Sequence, residues 1–166
     1  MANQDAAFGM KPVRMMGGSP YTGGQSRYRI AANYGTSIFQ GDMVAQVTGG
    51  GVEVHADGGT VPIVGVFNGC SYTDPTTGEQ VFSNYYPAST NASDIIAFVI
   101  DDPNVVFEIQ ADDTFPVADL FGNFDIVYTS SGSTVTGISG AELDVTTGAT
   151  TASLPIKAID ISGDPE

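Results

Sequence analysis

Apolar and polar positions alternate with a period of two along most of the chain, in short runs broken by glycine and proline. Runs of this kind build half-buried strands, whereas a helix needs apolar positions three and four apart. Residues 28–30, 37–39 and 43–47 read as strands, with a turn at Gln40-Gly41-Asp42. In the run 52–55, Val52 and Val54 are expected to face inward, and His55 to stand with Glu53 on the solvent side. Residues 63–67 are apolar at nearly every position, as in a central strand covered on both faces. The runs 81–82, 85–86 and 126–128 are further strands, and 95–100 reads as a buried one. Asp101-Asp102-Pro103-Asn104 has turn chemistry, because Asp bonds nearby backbone and Pro presets φ. Residues 105–109 are then expected to return as the second arm of a hairpin. Only residues 117–121 suggest a helical turn. Residues 129–153 are rich in Ser, Thr and Gly, and 154–161 alternate as a closing strand. About ten short strands at this spacing predict an all-β domain, a compact barrel, β-tulip-like fold or sandwich.

The first 25 residues differ. They hold Met10, Met15, Met16, Pro20 and several glycines, and keep no clean period. The chain therefore divides into an extended N-terminal arm (1–25) and an acidic all-β domain (26–166). The core strands are expected to begin after the arm, so that removing the arm leaves the domain folded. Charge sharpens the division. Residues 1–30 carry four basic residues against Asp5, whereas residues 31–166 carry Lys157 against eighteen acids. The formal net charge is −14. Such a chain as a whole is repelled by nucleic acid and anionic membranes, whose binders present a basic stripe. The arm, by contrast, is suited to an acidic neighbour. Its candidate contact residues are Lys11, Arg14, Met15 and Met16, joined by Arg27 and Arg29 just beyond it. Arginine pairs directionally with carboxylates, and methionine adapts to irregular apolar surfaces.

Length and composition set further limits. A chain of 166 residues, 42% hydrophobic with nine Phe and seven Tyr, can build a core without a metal or disulfide. No apolar run nears the ~20 residues of a helical membrane span. The start, Met-Ala-Asn-Gln-Asp, lacks the basic-then-apolar pattern of a secretory signal.

A search for chemistry finds little. Cys70 is the one cysteine and His55 the one histidine, so most zinc and iron–sulfur sites lack ligands within the chain. Cys70 is expected to be a buried, inert thiol. Acid pairs occur at Asp101/Asp102, Asp112/Asp113 and Glu142/Asp144. Paired carboxylates serve glycoside hydrolysis, but the aromatic platform that sugar clefts favour lacks its commonest residue, for there is no Trp. Residues 101–104 offer the hard oxygen ligands that calcium takes, but lack the ligand order and glycine of an EF-hand, and an ordinary turn is expected. Gly49-Gly50-Gly51 lacks the Lys-Ser/Thr of a phosphate loop. The expectation is a binding or assembly protein with no catalytic residues, metal or cofactor.

Three stretches carry a further signal. The first is Phe8-Gly9-Met10-Lys11-Pro12-Val13-Arg14 with Gly18-Ser19-Pro20. The second is Phe39-Gln40-Gly41-Asp42-Met43-Val44 followed by Ile63-Val64-Gly65-Val66-Phe67. The third is Asp101 to Gln110 with Thr136-Gly137-Ile138-Ser139-Gly140 and Glu142-Leu143-Asp144. Together they resemble virion proteins of tailed bacteriophages, in particular the head-decoration (capsid cement) proteins of that group. The resemblance implies a homotrimer made in the bacterial cytoplasm and mounted on the outer surface of the virion. Its partner would be the major capsid protein, whose subunit contacts it braces. The alternatives are a tail or fibre component that touches a host surface, and a carbohydrate-binding module or small hydrolase.

Overall fold

The computed structural model describes residues 6–59 and 61–162. Its strands are β1 (Lys11–Met15), β2 (Ser26–Arg29), β3 (Ile38–Phe39), β4 (Met43–Val47), β5 (Gly51–Val54), β6 (Ile63–Thr73), β7 (Gln80–Ser83), β8 (Tyr85–Tyr86), β9 (Ile96–Ile100), β10 (Val105–Glu108), β11 (Asn123–Tyr128), β12 (Ala141–Ala149) and β13 (Ile156–Lys157). Val117–Asp119 forms a single 3₁₀ turn, and no α-helix occurs among the described residues. The domain is all-β, as the alternation predicts.

Five strands close a barrel in the order β4-β5-β2-β9-β6, with β6 returning to β4. β7 hangs on the free side of β6, outside the closure. Four of the five closing contacts are antiparallel, and the β2–β5 contact is parallel through Arg29 and Gly51. A Cβ at Gly51 would sit 2.8 Å from the Arg29 carbonyl oxygen, so glycine permits that seam. The interior holds Ile38, Val44, Phe67, Tyr86, Ile95 and Val99. A second apolar cluster, of Met10, Met43, Val66 and Ile126, lies outside the barrel wall. It joins the N-terminal segment and the β12-β11-β13 sheet to the outer faces of β4 and β6.

That second cluster accounts for most departures from the alternation pattern. His55 is 1% exposed instead of facing solvent. Its amide bonds the Met43 carbonyl at 2.8 Å, and Tyr128 donates to the His55 carbonyl at 3.2 Å. The outer side of the barrel at this point is covered, so alternation there does not alternate core with water. The arm is likewise not wholly irregular. Lys11–Met15 pairs with β10, with a register shift between Pro12 and Arg14 that hides its period from the sequence. Met10, a residue of the arm, is buried in the protein's own core. Residues 1–5 of the arm lie outside the described residues.

The strand pairings differ from expectation at three further places. Residues 105–109 do not form a hairpin with β9, because both sides of β9 are taken by β2 and β6. β10 pairs with β1 instead. The Ser/Thr/Gly stretch contains the nine-residue β12, held by β11 in the register Ile126 to Leu143. The closing strand shrinks to Ile156–Lys157, which meets only Asn123 and Phe124 of β11. β6 is longer than expected, running to Thr73, because Gly69 (φ +135°) makes a bulge that rephases it against β9.

Candidate functional site

Alternation along β2 turns Tyr28 inward and Arg27 and Arg29 outward into solvent. The Tyr28 hydroxyl donates to Asp101 Oδ2 at 2.8 Å, which anchors the strand from within. On β9 the residues opposite the two arginines are Phe98 and Ile96. Both are half-buried, whereas Ala97 and Val99 between them fill the barrel. The strand read as buried throughout is therefore buried along one side, and on the other only at Ile100. The Arg27 guanidinium carbon lies 5.9 Å from the Phe98 ring centroid, a cation–π distance.

The same face continues across β6 and β7. Phe98 is opposite Gly69, Ile96 is opposite Ser71, and Ser71 is opposite Phe82. Phe82 is 74% exposed. At about 4.8 Å per strand, arginines and Phe82 stand about 14 Å apart. Between them stands Gly69, where a Cβ would meet the Ser83 carbonyl oxygen at 2.8 Å, so glycine lets β7 approach closely. The face thus has a cationic side, an apolar floor and a projecting aromatic ring. It can pair carboxylates with guanidinium forks and seat Phe82 in an apolar recess.

The structure sets Arg27 and Arg29 on one strand face and puts the other four candidate residues in or beside a different sheet. Lys11, Arg14 and Met15 belong to the separate β1–β10 sheet, and Met16 follows it. Lys11 stands across from Glu108. Arg14 is 3.8 Å from Asp160, the one ion pair among the described residues. Met15 is half-buried, and Met16 is 56% exposed with its amide bonded to the Asn104 carbonyl at 2.7 Å. Sequence reasoning missed Ile96, Phe98 and Phe82. The signal was the small Ala97 between two large neighbours, which marks the crowded interior side of a barrel strand.

The residues with nucleophilic or acid–base potential are placed differently. Cys70 is buried, its thiol donates to the Tyr85 carbonyl at 3.4 Å, and burial pushes it up to about 12. His55 Nε2 donates to the Val61 carbonyl at 3.0 Å. Asp102 Oδ1 accepts the Asn104 amide at 2.8 Å, Asp112 Oδ1 accepts the Val145 amide at 3.0 Å, and Glu142 accepts the Thr129 hydroxyl. The acid pairs therefore serve local turns and strand ends. Among the described residues, no group of three or more His, Cys, Asp or Glu is arranged to hold a metal ion. Two shallow grooves, of about 360 Å³ beside Phe8 and Ser133 and about 390 Å³ beside Phe121 and Thr150, bring no two carboxylates together. No helix among the described residues is long and apolar enough to cross a membrane. No protein-family model, curated protein or solved structure matches the chain.

Proposed function

We propose that the protein is a non-catalytic decoration protein of a tailed-phage head, attached to the outside of the shell through the outer face of β2, β9, β6 and β7. The observation that carries this reading is the alignment of Arg27, Arg29, Phe98 and Phe82 on one solvent face of an otherwise acidic chain. Arginines with an aromatic anchor are what binding hot spots use. The three sequence stretches that resemble cement proteins supply the identity of the partner, the major capsid protein. The excess of acid elsewhere keeps decorated particles apart in solution. A modest free energy per copy is enough when it is repeated over a lattice of shell subunits.

The test uses purified heads that lack this protein. Wild-type chain is added, and occupancy is read by quantitative mass spectrometry against the shell protein. Saturation at one copy per shell subunit, or a simple fraction of it, is expected. The double substitution Arg27→Glu and Arg29→Glu should lower affinity at least about tenfold while leaving the fold intact, because both side chains are exposed. A handful of copies per particle would move the protein to the tail or a fibre. No attachment, with sugar binding lost on changing Asp101 or Glu142, would replace the proposal with the carbohydrate reading.

A further inference from the structure

Closure removes the free edges of the barrel strands, and it leaves β7 outside. β7 pairs with β6 on one side, and among the described residues no strand lies on its other side. Alternate amides and carbonyls of Gln80–Ser83 therefore face solvent along that edge. Protected edges carry lysine, proline or a bulge. β7 (Gln-Val-Phe-Ser) has none of these, and Phe82 projects from it. Only its far end is covered, where Asn84 Nδ2 donates to the Thr136 carbonyl at 2.6 Å.

The charge beside this edge has one sign. The turn that leads into β7 carries Asp74, half-buried, and Glu79, exposed. Amides of Thr76 and Thr77 donate to Asp74 and hold its carboxyl below the usual range. One strand further, Asp94 accepts from the Thr73 hydroxyl at 2.6 Å, which lowers it too. No lysine or arginine occurs between residues 30 and 156. These charges disfavour pairing with a second copy of this acidic edge and favour a strand that brings cations.

We infer that the β7 edge is a strand-acceptor site for an extended segment of a partner protein, with lysine or arginine at the end nearest Asp74 and Glu79. Main-chain bonds to Gln80–Ser83 would supply the pairing, and an apolar side chain of the added strand would cover Phe82. The site stands beside the attachment face and shares only Phe82 with it, so either can fail alone.

The probe is a capped heptapeptide of two lysines followed by alternating valine and threonine. Its control carries two glutamates in place of the lysines. With full-length protein, the lysine peptide should shift the amide resonances of residues 80–83 and slow exchange at the outward amides at least about tenfold. Binding should weaken severalfold in high salt. The glutamate peptide should bind at least about tenfold more weakly. Phe82→Lys should abolish the difference between the peptides, and because Phe82 is exposed the variant should fold. The inference is overturned if the lysine peptide moves no β7 amide at millimolar concentration, if both peptides bind alike, or if the perturbed amides lie elsewhere. It is also overturned if β7 is already protected in the free protein through pairing with a second copy.

Discussion

The Asp42 carboxylate accepts the Phe39 amide at 2.7 Å through Oδ2, while its Oδ1 is buried without a partner. This side chain sits under the turn that joins three parts of the molecule. Gly41 accepts from the Met10 amide at 2.9 Å, Gln40 accepts from the Ser139 amide at 3.0 Å, and the Phe67 amide bonds the Asp42 carbonyl at 2.8 Å. The N-terminal segment, the loop before β12 and the barrel therefore meet over one buried acid.

Burial raises the Asp42 carboxyl from 3.8 to about 6. The folded state then holds the proton more tightly than the unfolded chain. Its stabilising contribution is fully present below pH 3.8 and is lost as pH rises through about 6. Two pKa units correspond to about 3 kcal/mol. Asp42→Asn should therefore show a shallower fall in stability between pH 4 and 6 than wild type, and should gain relative stability at pH 7. Urea denaturation across that range checks this, and parallel curves for the two proteins would refute it. Asp74 and Asp94, whose carboxyls are lowered, lose their contribution only as pH falls below about 4, outside this window.

Met10 is part of the core, so the arm is packed into the domain along at least this stretch. Met10→Ala should cost about 2–5 kcal/mol, the range for truncating a buried methionine. Removing residues 1–16 should destabilise the whole domain, because β10 loses its one partner and the outer cluster is opened. A shift in the urea midpoint is the readout. An unchanged midpoint in the truncated chain would restore the simple picture of an arm attached to an independent barrel.

Gly65 stands where β4, β6 and β9 converge. A Cβ there would overlap the Ile100 carbonyl oxygen and lie 2.8 Å from Val99 Cγ1. Gly65→Ala should cost at least about 2 kcal/mol, since backbone rather than a flexible side chain must yield. Gly24→Ala, with nothing within 4 Å, should stay within about 0.5 kcal/mol. Thermal denaturation of the pair separates the two outcomes.

Cys70 should resist alkylation. With its thiol pushed up to about 12, the thiolate fraction at pH 8 is about a thousandfold below that of an ordinary cysteine. Labelling with iodoacetamide should proceed only as fast as the protein unfolds, and at the normal rate in denaturant. Rapid labelling of the native protein would mean that this stretch of β6 opens.

The period-two pattern by itself determined the all-β class and most strand positions, because these depend on local alternation, and the burial of Cys70 followed from the apolar character of a free cysteine. The tertiary structure alone decided which strands pair. β10 goes to β1 because β9 has no free side, a fact about distant segments that no local pattern carries. It also decided what counts as inside. His55 and Met10 are buried because a second sheet covers part of the barrel's outer wall, whereas Ile96 and Phe98 stay partly open because nothing covers theirs. Alternation separates the two faces of a strand, and only packing determines which of them meets water.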